Sequence, residues 1–383
     1  MRRKILKLTS VLMTAVILSG CQSGVLKGLK KSDENLYINK DKKYEELITI
    51  ATKFDFYGSM IIATDDDVVL YSGGEGKNID GKPVDPSTTY DIGSNSKTFT
   101  AVSIMQLIEQ GKVSLDDTLD MYFPEYETGK DITVYNLLHM QSGIPDDINE
   151  PDKFWGISDR DEVMEFLKTK YFCDNLTDEE YLNALYAAPL MFEPGTQQSY
   201  SNTNYHLLAF IIEQVSGMSY CDYLQKNIFD VCGMEHTTSM TIGNETSVPE
   251  GFEDELEIGM VDEKGYELQG VTDRGDGGVH SCAADMLAFD RALFGGKLIS
   301  DSSLQEMMNW DMDYGCGLYP FSRNEKSYGH SGAYGVYISM NIVYETEEFG
   351  RVYLIMLLAT NAPGPASNLD NIPELIDDKY IGR

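Results

Sequence analysis

The sequence predicts an α/β fold of the α+β type: an antiparallel sheet built from both chain ends, flanked by helices, with a mostly helical region at about 105–270 inserted between them. Two observations carry this. Strand-like runs bounded by turn residues occur early, in "YGSMIIATDDDVVLYSGGEG", and late, in "YGHSGAYGVYISMNIVYET" and "GRVYLIMLLATN". Between them, segments with apolar residues at helical spacing are separated by Pro and Gly breaks.

In chain order, "KYEELITIATKF" reads as a short amphipathic helix, and the run after it as a hairpin turning at Asp65–Asp67. The "GGEG" that follows opens no helix, so it does not support a dinucleotide site. "FTAVSIMQLIEQGKVSL" places Phe99, Val102, Ile104, Met105, Leu107 and Ile108 at mostly helical spacing and meets Gly111 at a C-cap position. "VYNLLHMQSG", "RDEVMEFLKTKYF", "EEYLNALYAA", "NYHLLAFIIEQVSG" and "SYCDYLQKNIFDVCG" continue the helical insert. "DGGVHSCAADMLAFDRALFGG" reads as one more glycine-led helix, the late strands pair across "TEEFG", and "NLDNIPELIDDKYIG" closes the chain as a helix.

The chain has 383 residues, 42% of them hydrophobic, enough for a sizeable core. Its formal charge of -32 repels polyanions and argues against nucleic acid as a partner. Acid runs such as "GIPDDINEPD" and "GFEDELEIGMVDE" read as solvated loops. The six cysteines form no C-x-x-C pair, which argues against a disulfide framework and a thiolate zinc site; Cys173, Cys221, Cys232, Cys282 and Cys316 read mostly as small buried hydrophobes. The five histidines show no H-E-x-x-H spacing, so neither a metal nor another cofactor is expected.

At the N-terminus a basic "MRRKILK" precedes an apolar "LTSVLMTAVIL", too short to span a membrane comfortably, and then "LSGC". Small residues before a cysteine resemble the lipobox of bacterial lipoproteins. That resemblance implies a signal peptide over 1–20, lipidation of Cys21 and an extracytoplasmic location anchored to the cell membrane. Residues 21–40, polar and poor in core residues, read as a tether, and 41–383 as the folded domain.

Three short stretches carry the chemistry. In "DIGSNSKTFT", Ser94 and Lys97 lie three apart at the start of an apolar helix. An ammonium there sits beside the hydroxyl while the helix's unpaired N–H groups and positive dipole end point the same way. In "PGTQQSYSNTNY", Tyr200 and Asn202 lie two apart in an extended lead-in and share a face, and an ammonium nearby stabilises the phenolate a tyrosine needs to act as a base. In "YGHSGAYG", His330, Ser331 and Gly332 alternate sides of a strand, Gly332 allows close approach of a ligand, and a free strand edge invites a peptide-like substrate.

The order S-x-x-K, Y-x-N, [KH]-[ST]-G resembles the serine beta-lactamase and penicillin-binding-protein family, in the branch holding class C beta-lactamases, D-Ala-D-Ala carboxypeptidases and related esterases. Framing segments including "GKVSLDDTL", "ITVYNLLHMQSGIPD" and "IFDVCGMEHT" fit in order, over roughly 55–362. The resemblance implies a beta-lactamase/transpeptidase-like fold, Ser94 as the acylated nucleophile, Lys97 as its proton partner and Tyr200 sharing general base and acid duty. It further implies that Asn202 holds the substrate amide, that His330, Ser331 and Gly332 line the far wall, and that the N–H groups of Ser94 and Ala333 form the oxyanion hole. Two departures bear on substrate: His330 stands where class C enzymes carry lysine, and Gly335 comes one residue early. A histidine of ordinary pKa, ~6.5, is only fractionally charged, so a carboxylate-holding cation is weakened. The expected function is a serine hydrolase acting through an acyl-enzyme on D-amino-acid peptides, esters or related amides. Its rivals are a class C-like beta-lactamase and a penicillin-binding lipoprotein that does not turn over.

Overall fold

The computed structural model describes residues 25–33, 35–74, 83–171, 176–239, 274–334, 337–359 and 369–382. The signal peptide, Cys21, Cys173, Gly335 and the acidic run at 251–263 lie outside the described residues.

Eight strands form an antiparallel sheet: β1 (Lys30–Asp33), β2 (Leu36–Ile38), β3 (Ser59–Thr64), β4 (Val68–Ser72), β8 (Tyr319–Pro320), β9 (Ser327–Tyr334), β10 (Tyr337–Thr346) and β11 (Gly350–Ala359), in the order β1-β2-β4-β3-β11-β10-β9-β8. The early hairpin β3–β4 therefore joins the late strands through β11, where Ile61 pairs with Ile355. This is the sheet expected from the two chain ends. β11 is covered on both faces: Tyr353, Ile355 and Leu357 enter one apolar core, and Val352, Leu354, Met356 and Leu358 the other. Burial on both faces is why this strand reads as a continuous apolar run instead of an alternating one.

The smaller core lies under α1 (Glu45–Ala51) and α8 (Asn371–Ile376), through Leu47, Ala51, Ile372 and Ile376. The larger lies between the sheet and the remaining helices, among them α2 (Ser96–Glu109), α3 (Val134–Leu138), α4 (Arg160–Phe166), α5 (Asp178–Ala187), α6 (Asn202–Ser216) and α7 (Ala283–Phe294). α2 is buried on nearly every side, from Ser96 through Met105, as befits a helix in the middle of a domain.

The tether expected over 21–40 gives way to strands. β2 pairs with β4 because "LYI" has apolar residues for both layers: Tyr37 packs on the larger core, Leu36 and Ile38 on the smaller. A second antiparallel sheet, β5 (Thr89–Asp91), β7 (Val279–Cys282) and β6 (Thr238–Ser239), escapes the sequence reading because its strands are too short for periodicity to register. The "VHSC" expected to lead a helix is its middle strand. It braces the start of α2: Ile92 N–H donates to Val279 O (3.0 Å) and Val279 N–H to Ser96 Oγ (3.3 Å). Cys282 and Cys316 are buried as expected, whereas Cys221 and Cys232 are partly exposed.

Candidate active site

Ser94 sits in a tight 3-10 turn, Gly93–Asn95, that runs directly into α2, and Gly93 takes the left-handed conformation (φ 50°) that starts the turn. One helical turn on, the fully buried Lys97 reaches back. Its Nζ donates to Ser94 Oγ (3.1 Å), Asn202 Oδ1 (2.7 Å) and Asp276 O (2.8 Å), so each hydrogen of an ammonium has an acceptor. Tyr200 Oη lies 2.8 Å from Ser94 Oγ, and Lys97 Nζ lies 5.1 Å from the Tyr200 ring. The three residues singled out for acyl transfer thus meet at one hydroxyl.

Tyr200 is held in place from outside its own segment. The loop after α3 and the lead-in to α6 are zipped together: Gln198 Nε2 donates to His139 O (3.2 Å), Ser199 N–H to Met140 O (2.9 Å), and Thr203 Oγ1 to Pro145 O (2.9 Å). Met140 takes a left-handed backbone (φ 58°) that lets its Sδ accept from Ser201 N–H (3.5 Å) as well. The "HMQSGIPD" segment is therefore the scaffold that aims Tyr200 and Asn202.

The far wall is β9. Its outer neighbour β8 pairs only as far as Gly329, so among the described strands none pairs with the cleft side of β9 beyond that residue. Ser331 and Ala333 are more open than the buried His330 and Gly332, the alternation expected of a strand. The cleft, about 810 Å³, is lined by Ser94, Tyr200, Asn202, His330, Ser331, Gly332 and Ala333, and also by Asp276, Tyr319 and Asp370. Every candidate residue within the described structure lines it except Lys97, which acts from beneath its floor.

His330, Asn202 and the acid run at 146–147 sit differently from expectation. His330 faces Ser331 O through Nδ1 (2.5 Å), and a carbonyl only accepts, so Nδ1 carries the hydrogen; Nε2 then accepts from Tyr314 Oη (2.9 Å). Burial raises the pKa of the Tyr314 phenol and keeps it a donor. Burial, with Lys97 nearby, pushes the His330 pKa down to about 3. The fractional charge expected at position 330 is absent: the ring is neutral and both nitrogens are engaged inside the protein. Asn202 turns its oxygen to Lys97 and its Nδ2 to Asp146 Oδ2 (3.0 Å), where the sequence points to the substrate amide. The acid run at 146–147 is not solvated either, since Asp146 and Asp147 are each 1% exposed. Asp147 accepts from Tyr171 and Tyr181 (2.9 Å each), and burial, with the neighbouring Asp146 charge, raises its pKa.

Tyr314, Tyr319, Asp146 and Asp276 carry no local motif and join the site only in the fold. Tyr319 Oη lies 2.6 Å from Ser331 Oγ, and Tyr200 meets the Tyr314 ring edge-on at 6.2 Å. A signal for the tyrosines exists in "DYGCGLY": Gly317 is left-handed (φ 66°), and a β-carbon there would lie 2.6 Å from Lys97 O, so this loop must touch the start of α2.

A family model for beta-lactamase matches residues 58–378. The chain is 29% identical over 343 residues to Penicillin-binding protein 4* of Bacillus subtilis (strain 168), covering 82% of this chain and 72% of that protein. In fold it is similar to a penicillin binding protein from Bacillus halodurans (TM-score 0.67, 22% identity, 88% of this chain and 99% of that one). It is also similar in fold to a D-amino acid amidase from Ochrobactrum anthropi SV3 (TM-score 0.60, 24% identity, 84% and 93%). With the family model spanning most of its length and the sheet, helices and cleft arranged as described, this chain belongs to the beta-lactamase family of serine hydrolases.

Proposed function

We propose that this protein is an extracytoplasmic hydrolase that forms an acyl-enzyme on Ser94 and acts on D-amino-acid peptides, esters or related amides. The observation that carries the reading is the position of Ser94 Oγ between Lys97 Nζ (3.1 Å) and Tyr200 Oη (2.8 Å) at the head of an open cleft. Ser94 attacks the substrate carbonyl as its proton passes to Tyr200 Oη, which must enter the step as a phenolate beside the Lys97 ammonium. The N–H groups of Ser94 and Ala333 receive the developing oxyanion, and Tyr200 returns the proton to the leaving group. Water then releases the acyl group. The cleft side of β9 beyond Gly329 takes the substrate backbone alongside it.

The neutral, internally bonded His330 supports a substrate without a carboxylate at that wall, and so argues against efficient beta-lactam hydrolysis. The relatives, a penicillin-binding protein and a D-amino acid amidase, agree with acylation by penicillins and with D-amino-acid amides as substrates. The same machinery serves a second reading favoured by the first of those relatives, a penicillin-binding lipoprotein that acylates and stops. Labelling with a fluorescent penicillin, followed over time, separates these readings. Slow labelling together with turnover of D-amino-acid amides or esters supports the proposal, stable stoichiometric label supports the binding protein, and rapid label loss indicates a beta-lactamase.

The leader supports lipidation at Cys21 after cleavage of residues 1–20. In a bacterial host, wild-type protein is expected in the membrane fraction and Cys21→Ala outside it; release of the wild type by a salt wash alone would contradict the anchor.

A further inference from the structure

Asp146 is buried, yet all its hydrogen-bonding capacity is spent. Oδ1 accepts from the N–H groups of Ile148 (2.9 Å) and Asn149 (2.7 Å), and Oδ2 accepts from the backbone N–H (2.9 Å) and Nδ2 (3.0 Å) of Asn202. Four donors converge on one carboxyl group, two on each oxygen. The loop that carries it cannot easily withdraw, because Asp147 beside it donates its N–H to Thr203 Oγ1 (3.1 Å) and is tied to Tyr171 and Tyr181.

We propose that Asp146 is a positioning residue for the reaction and acts through Asn202 by fixing which end of that amide meets Lys97. A carboxylate only accepts and an ammonium only donates, so between them the Asn202 amide has one workable orientation: Nδ2 to Asp146, Oδ1 to Lys97. The reversed amide would set oxygen against oxygen on one side and N–H against N–H on the other. With its third acceptor guaranteed, Lys97 stays aimed at Ser94 and Asp276 O. A neutral residue at 146 removes that constraint, and each reversal of Asn202 takes one acceptor from Lys97.

The inference rests on the reading of Ser94 and Lys97 given above, and a mutant cycle tests it with p-nitrophenyl acetate as the acylating probe, the acetyl group passing to Ser94 and p-nitrophenolate leaving in the pre-steady-state burst. Asp146→Asn is expected to slow acylation of Ser94 at saturating probe at least tenfold with little change in the concentration for half-maximal rate. Asn202→Asp sets two carboxylates against each other and is expected to be slower still. Adding Asp146→Asn to Asn202→Asp is expected to speed acylation, because it restores a donor opposite an acceptor. That reversal of sign is something a merely structural residue does not produce, and it holds even should Asp146→Asn alone fold poorly. If Asp146→Asn slows the reaction by the same factor in both backgrounds, the inference is overturned. A spectroscopic arm is independent of reactivity: in lysine-labelled protein, the 15Nζ resonance of Lys97, assigned with Lys97→Arg, is expected to move in Asp146→Asn. An unmoved resonance overturns the inference even if wild-type Ser94 ignores the probe, a result that would count against the hydrolase reading alone.

Discussion

Gly332 packs against the backbone of Ile92, two residues ahead of the nucleophile, and Gly93 packs against the backbone of Ala333. A β-carbon on Gly332 would collide with Ile92 O and lie 2.9 Å from Ser94 N, and one on Gly93 would lie 2.8 Å from Ala333 N. These contacts bring the end of β9, with Ala333 N–H, against the turn that carries Ser94. Gly332→Ala is therefore expected to push the strand from the turn, at a cost of about 1–3 kcal/mol in stability. It should also lower the acylation rate about a hundredfold or more, the scale of losing one oxyanion donor. Thermal melting and stopped-flow acylation measured on the same preparation check both; wild-type rates in a stable variant would contradict the arrangement.

Tyr200→Phe removes only the oxygen that lies 2.8 Å from Ser94 Oγ. The side chain is 41% exposed, so the melting temperature is expected to change little. Loss of a general acid and base should slow acylation by about 10²–10⁴-fold. A loss below about threefold in single-turnover measurements would remove Tyr200 from proton transfer on that scale.

His330 supplies no charge to the cleft in the ordinary working range, since its proton is lost above about pH 3. For a matched pair of substrates, one with a carboxylate and one with its methyl ester, the ratio of kcat/KM values is expected to stay flat between about pH 5 and 8, well above that value. A ratio rising toward acid would mean that the ring titrates in the cleft. His330→Lys is expected to lower the melting temperature instead of improving carboxylate turnover, because it buries a second ammonium close to Lys97 and strips Tyr314 of its acceptor.

Much of this site is legible in the sequence because its chemistry is carried by short local patterns. Ser94 and Lys97 are joined by helical spacing, Tyr200 and Asn202 by a shared face, and the late strand by a glycine that must approach another backbone. Strand pairing of the chain ends is legible for a similar reason: β3, β10 and β11 are long, apolar and bounded by turns. What stays hidden depends on contacts between distant segments. Nothing in "GIPDDINEPD" announces that two of its acids are buried, because their partners, Asn202, Tyr171 and Tyr181, arrive from other segments. The His330 protonation state is hidden for the same reason, since it is set by burial and by Lys97, which arrives from a distant segment.

Asp290 offers a stability prediction away from the cleft. Its carboxyl is fully buried, accepts one hydrogen bond from Asn341 Nδ2 (2.8 Å), and is pushed by burial to about 7 from an ordinary 3.8. Between those two values the folded chain holds a proton that the unfolded chain has released, so Asp290 lowers stability progressively as pH rises through about 7. Asp290→Asn keeps the acceptor and removes the titration. The fall in melting temperature between about pH 5 and 8 is expected to be shallower in the variant than in the wild type. Parallel curves would show that Asp290 keeps an ordinary pKa in the fold.

The most direct test of the account is intact-mass spectrometry of the protein after a short exposure to an acylating D-alanyl ester or penicillin, with peptide mapping of the adduct. One added acyl group is expected on the peptide carrying Ser94, and no adduct in a Ser94→Ala protein that melts like the wild type. An adduct that persists in Ser94→Ala, or that maps to Ser96, Ser199 or Ser331 in the wild type, would contradict it.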